Sequence, residues 1–164
     1  MGTTVVMAVF YDNRVSVAHV GDSRVYRFRE GKLSQVTVDH TLLQELVDRG
    51  FYTDEEARAS LNKNLVTRAL GIEPTVAVDV KEEMALPGDI YILCSDGLND
   101  MVDDEEIHLT IKNFGDNLDE AADRLIELAN KHGGKDNVSV ILARPTRPFP
   151  AQRGWMDKVT EWFS

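Results

Sequence analysis

Three aspartates in this sequence share one setting, at the border of an apolar run and beside a glycine or asparagine. Asp22 lies in HVGDSR and Asp96 in CSDGL, each after such a run, and Asp136 lies in GGKDN, before one. If the ends of these runs meet in space, three carboxylates converge, and hard oxygen ligands of that kind suit Mg²⁺ or Mn²⁺. Two such ions about 4 Å apart can activate a water and clamp a phosphoryl group for in-line displacement. Gly97 and Gly134 would then let backbone come close to the ions. Taken singly, each motif also fits a plain turn: Asp-Gly after a strand is common turn chemistry, and Asp-Asn before a strand a common cap.

Other chemistries fit less well. Cys94 has Asp100 rather than arginine six residues on, which excludes a cysteine-nucleophile phosphatase loop, and it reads as a small core residue. Gly133-Gly134-Lys135 is followed by Asp136 where a phosphate-binding loop needs Ser or Thr. The histidines at 19, 40, 108 and 132 show no zinc spacing. His19 is expected to be packed or half-exposed on a strand, and His40 to cap the helix after it.

The elements that must position these residues follow from pattern. Two apolar runs around Asp12-Asn13 predict a hairpin, and Arg24 to Arg29 with LSQVTV, joined by Glu30-Gly31-Lys32, extend it to an antiparallel meander of four strands. Leu42, Leu43, Leu46 and Val47 recur at helical spacing before Gly50, and Thr53-Asp54-Glu55-Glu56 has the spacing of a capping box opening a second helix to Ser60. Residues 39–72 thus read as a helical excursion between strands. Strands are expected at Thr75 to Val80, at Asp89 to Cys94 and at VSVILA, with two helices between the last two, starting near Asp103 and Asn117.

Composition bounds the class. The 164 residues, with 18 basic and 28 acidic side chains and a net charge of −10, suit one globular domain and disfavour nucleic acid or an anionic membrane as partner. A single cysteine points to a reducing cytoplasm; no apolar run reaches the length of a membrane span, and no basic region precedes the N-terminal apolar stretch as a signal peptide would require. Residues 1–145 read as the domain. Residues 146–164 read as a proline-rich linker and an amphipathic tail carrying Trp155, Val159, Trp162 and Phe163, whose expected berth is the protein's own domain.

Taken in order, MGTT, VAHVGDSRVYRFREGKL, DHT, LVDRG, VTRALG, GDIYILCSDGLNDMV and GGKDNVSV resemble the bacterial branch of the type 2C metal-dependent protein serine/threonine phosphatases, over nearly everything from Met1 to Arg144. The resemblance implies an α/β fold, an antiparallel β-sandwich flanked by helices, with a two-metal Mn²⁺ or Mg²⁺ site at one edge. It implies catalytic metal ligands at Asp96 and Asp136, with Gly97 beside them, and a third ion held by Asp22 with Asp96. It makes 39–72 a flap that influences substrate choice, carrying Asp39, His40, Thr41 and Arg68, with Asn137 beside the site. It also implies phosphoserine and phosphothreonine proteins as substrates, a cognate serine/threonine kinase among them.

The departures are as informative. The family's phosphate-contacting arginine segment, its Asn-Glu-Asp segment and its Asp-Gly-x-Gly-Gly loop, whose aspartate bridges the two metals, have no counterpart here. The expectation is therefore a fragment incomplete at the N-terminus, with little or no activity alone and an apolar sheet edge open to self-association. A pseudophosphatase that binds phosphoproteins without turnover is the competing reading.

Overall fold

A computed structural model describes residues 1–53, 56 and 65–151. Among them, seven strands form two antiparallel sheets: β1 (Val5–Tyr11), β2 (Arg14–Val20) and β5 (Asp79–Met84) in the order β1-β2-β5, and β3 (Arg24–Arg29), β4 (Lys32–Gln35), β6 (Ile90–Cys94) and β7 (Val140–Ala143) in the order β4-β3-β6-β7. The helices among the described residues are α1 (Leu42–Asp48), α2 (Asp96–Asn99), α3 (Asp104–Phe114) and α4 (Leu118–Lys131).

The β1–β2 turn is built as its sequence demands. Asp12 and Asn13 both take left-handed angles (φ 51° and 57°), the twist that a two-residue hairpin needs. The four-strand meander does not form. Two hairpins arise instead, one in each sheet, and the chain changes sheets at residues 21–23. Gly21 makes that crossing possible: it sits at φ +106°, and a Cβ there would come within 2.3 Å of the Thr4 side chain.

The sheets face one another across Val15 and Val17 of β2, Val25 of β3, Tyr91 of β6, and Val36 and Ala85. On its other face the four-stranded sheet carries α3 and α4, through Ile90, Ile92 and Cys94 against Ile107, Ile111, Ala121, Leu125 and Ala129. Strand β6 is therefore buried on both faces, which is why its sequence is a continuous apolar run rather than an alternation. The outer face of the three-stranded sheet is different. Val5, Met7, Val9 and Tyr11 of β1 are exposed there.

Helix caps follow the sequence. Asp103 and Glu106 form a capping box at the start of α3, and Asn117 caps α4. The Thr53–Glu56 box is also made, with Glu56 N–H donating to Thr53 Oγ1 at 3.2 Å and Thr53 N–H to Glu56 Oε2 at 2.8 Å. The rest of the helix expected to Ser60 and the apolar stripe of the tail lie outside the described residues.

Two strand boundaries move. The strand expected at Thr75 to Val80 runs instead from Asp79 to Met84, because its pairing with β2 sets Arg14 opposite Met84 and His19 opposite Asp79. The last strand begins at Val140, since Ser139 turns its N–H to the Ser95 hydroxyl. Among the described residues no helix is long and apolar enough to cross a membrane.

Candidate metal centre

Register brings the three aspartates to one end of the four-stranded sheet. Arg24 pairs with Cys94, and Cys94 with Val140, so the start of β3, the end of β6 and the start of β7 coincide. Asp22 lies two residues before the first, Asp96 two residues after the second, and Asp136 four residues before the third.

Local bonds hold the last two together. Ser95 N–H donates to Ser139 O (3.1 Å), Ser139 N–H to Ser95 Oγ (3.0 Å), and Ser95 Oγ–H to Asn137 O (3.0 Å). This lacing lays the turn after β6 along the loop after α4. Gly97 is required at the contact, because a Cβ there would stand 2.4 Å from the carbonyl oxygen of Asn137. The aspartates are oriented by their neighbours' amides: Gly97 N–H donates to Asp96 Oδ1 (2.9 Å) and Asn137 N–H to Asp136 Oδ1 (2.7 Å). Gly134 serves otherwise than expected. It sits at φ +50° against Asn130, ending α4, rather than opening room beside the carboxylates.

The electrostatics are those of crowded anions. Burial pushes the Asp22 carboxyl up to about 6, with further push from Asp96, Asp39 and Asp100, although its own backbone N–H pulls the other way. Asp96 is also raised, by burial first and then by Asp100 and Asp136. Arg24, two residues after Asp22, is committed elsewhere, to Asp39 (2.7 to 3.0 Å) and to the Tyr26 hydroxyl (2.8 Å). Oxygen-only donors crowded enough to raise the carboxyls of Asp22 and Asp96 fit a divalent cation, whose charge would reverse the effect.

Asp100 belongs to this cluster and was missed as a site residue. Its signal is its spacing: four residues after Asp96 on a helical turn puts the two on one face. One residue of segment 39–72 is placed differently from expectation. Thr41, not His40, caps α1, accepting from Gln44 N–H at 3.3 Å. His40 is buried, and Arg68 pairs with Asp79 at 2.9 Å. His19 is buried too, stacked on His40. The two histidines and Asp79 come close enough together to hold an ion, a proximity across strands that sequence spacing does not reveal. Cys94 is a core residue, its thiol pushed up to about 12 by burial.

Sandwich, helices and carboxylate cluster together define the class. The chain belongs to the protein phosphatase 2C family, whose model matches residues 1–138. It is 45% identical over 146 residues to the serine/threonine protein phosphatase PstP of Mycobacterium tuberculosis, an alignment spanning 87% of this chain and 27% of that protein. A crystal structure of the M. tuberculosis phosphatase PstP/Ppp superposes with a TM-score of 0.85 at 44% identity, over 90% of this chain and 61% of that one. The PstP catalytic domain in complex with two manganese ions gives a TM-score of 0.73 at 46% identity, over 88% and 59%. The chain thus spans about a quarter of that relative's full length and about three-fifths of each solved chain.

Proposed function

We propose that this chain carries the larger part of the active site of a metal-dependent protein phosphatase acting on phosphoserine and phosphothreonine. The observation that supports it most is the convergence of Asp22, Asp96 and Asp136 at one sheet end, with the carboxyls of Asp22 and Asp96 both raised. Asp96 and Asp136 would hold the catalytic Mn²⁺ or Mg²⁺ pair, and Asp22 with Asp96 a third ion, with Asp100 adding charge to the same face. When bound, such ions supply Lewis acidity that lowers the pKa of water and neutralises a phosphoryl group.

The protein's own contribution is position. The Ser95–Ser139 lacing fixes Asp96 against Asp136, Gly97 permits their backbones to touch, and the amides of Gly97 and Asn137 orient the carboxylates. Segment 39–72, whose His40 bonds to Gly21 beside Asp22, would serve as a flap. Its Asp39 and Arg68 are engaged by Arg24 and Asp79, so they would act on substrate through the shape they hold.

The 164 residues contain no Asp-Gly-x-Gly-Gly, so the chain by itself is expected to turn over slowly or not at all. The same feature favours, as a second reading, a module that binds phosphoproteins without hydrolysis. Phosphoproteins, a cognate serine/threonine kinase among them, are the proposed partners and the cytoplasm the proposed location. The open outer face of β1-β2-β5 is the proposed seat of self-association.

The deciding experiment measures Mn²⁺-dependent hydrolysis of a phosphothreonine peptide by the chain and by Asp136→Asn, with Mn²⁺ binding followed in parallel. Binding lost in the variant, with slow or absent turnover, supports the phosphatase reading. An inability of the wild-type chain to bind Mn²⁺ would sink it.

A further inference from the structure

The loop that presents Asp22 is gripped on both sides by one residue. His40 N–H donates to Gly21 O at 2.9 Å, and Gly21 N–H donates to His40 Nδ1 at 3.1 Å. These bonds engage the two peptide groups flanking Gly21, and the second of those groups contains the nitrogen of Asp22. Gly21 needs such a hold, because a glycine at φ +106° is otherwise free to relax into many other conformations.

The ring's chemistry is fixed by the same contact. Since Nδ1 accepts, the neutral imidazole carries its hydrogen on Nε2. That nitrogen stands 3.2 Å from Asp79 Oδ2, and Arg68 Nη1, 3.3 Å from the same nitrogen, donates instead to the other oxygen of Asp79 at 2.9 Å. Thr67 N–H donates to the His40 carbonyl at 2.8 Å, so every polar group of His40 is engaged. The ring is 5% exposed and stacks on His19, centroids 4.5 Å apart, while His19 Nε2 lies 2.7 Å from Val38 O. This arrangement argues against reading His19, His40 and Asp79 as a metal site. Ligation through His40 Nε2 would require a second deprotonation while Nδ1 remains an acceptor.

We propose that His40 is a positioning residue for Asp22. The chain Arg68–Asp79–His40–Gly21 sets the backbone from which Asp22 reaches its cation, and so couples segment 39–72 to the metal centre. The proposal rests on Asp22 being a metal ligand. Hydrogen-bonding partners of this indirect kind change metal affinity by roughly 10- to 100-fold when removed.

The test uses the 164-residue chain, Mn²⁺ alone as probe, and three readouts: free Mn²⁺ by electron paramagnetic resonance, Gly21 amide exchange, and the His40 tautomer from ¹⁵N spectra. The expected tautomer is Nε2–H. His40→Ala should speed Gly21 exchange and weaken the Asp22-dependent Mn²⁺ binding about tenfold. His40→Asn, whose Oδ1 can replace Nδ1 as acceptor, should restore most of both, and it carries the test if the alanine variant does not fold. An Nδ1–H tautomer, or an asparagine variant whose Gly21 exchange and Mn²⁺ binding are both as impaired as full loss of the acceptor predicts, would overturn the proposal. So would a folded alanine variant with unchanged exchange and unchanged Mn²⁺ binding. If Asp22→Asn leaves Mn²⁺ binding intact, the metal reading falls and the coupling with it. That failure is distinguishable, because the tautomer and Gly21 exchange report the grip on the loop alone.

Discussion

Gly97 and Asn137 are in backbone contact: a Cβ on the first would lie 2.4 Å from the carbonyl oxygen of the second. The two loops that deliver Asp96 and Asp136 therefore touch without room for even a methyl group. Gly97→Ala should force them apart, costing about 2 kcal/mol of stability, in the range seen for overpacking. It should also weaken Mn²⁺ binding, since Asp136 moves with Asn137. Thermal unfolding and Mn²⁺ titration of the variant check both effects, and wild-type values in both would show that the loops yield without consequence.

Asp22 illustrates the opposite trade, a proposed metal ligand held at a cost to the fold. Its carboxyl is raised to about 6 by burial and by Asp96, so folding favours its neutral form relative to the unfolded chain. In metal-free protein the stability that this group permits therefore falls as pH rises from about 4 to 6. Asp22→Asn should remove that slope, stabilise the metal-free protein at pH 7 by about 1 kcal/mol, and lose part of the Mn²⁺ binding. Chemical denaturation at pH 4.5 and pH 7 with chelator present, in both proteins, reads the sign directly.

Much of this was legible in the sequence, and the reasons differ by element. The Asp12-Asn13 turn, the doubly buried run of β6 and the caps at Asp103 and Asn117 are decided by residues adjacent in the chain, so local chemistry specified them. Strand β5 was misplaced because DVKEEM lies at a sheet edge with most side chains in solvent, which erases the apolar alternation. The change of sheet at residues 21–23 was hidden because a hairpin's sequence does not say which sheet it joins. At the candidate site, Asp22, Asp96 and Asp136 could be read from their settings. The network around His40 could not: its partners Gly21 and Asp79 lie 19 and 39 positions away, and Arg68, which donates to Asp79, lies 28 away, so only the fold assembles them.

A stability test independent of the metal centre is offered by Asp89, which is 2% exposed at the entry to β6. Burial alone would raise its pKa, but the Arg29 guanidinium (2.6 and 2.8 Å) and the Leu86 N–H (2.7 Å) outweigh that and hold it below its ordinary value. A depressed carboxyl stabilises the fold above its unfolded pKa, so this contribution is lost as pH falls below about 4. Arg29→Ala leaves the buried carboxylate without its cation and should cost about 3 kcal/mol at pH 7. Arg29→Ala with Asp89→Asn should recover part of it. Urea unfolding of the single and double variants gives the coupling, and an additive result would mean that the pair contributes nothing beyond its separate parts.

The outer face of the three-stranded sheet makes the last prediction. Register stacks Met7, Ala18 and Val80 in one row and Tyr11, Arg14 and Met84 in another, and Val5, Met7, Val9, Tyr11, Val80 and Met84 are all exposed. The opposite layer has α3 and α4 on its outer face, whereas no helix covers this one among the described residues. A contiguous apolar sheet surface beside the edge of β1 invites association with a second copy, by face or by strand addition. Charge relieves the region between Val9 and Met84, where Arg14 pairs with Glu82. Sedimentation of the 164-residue chain should therefore show concentration-dependent association. Met7→Lys with Val80→Glu should shift it towards monomer without altering Mn²⁺ binding, because both side chains lie on the sheet that does not carry Asp96 and Asp136. A double variant that associates as strongly as wild type would exclude this face as the contact.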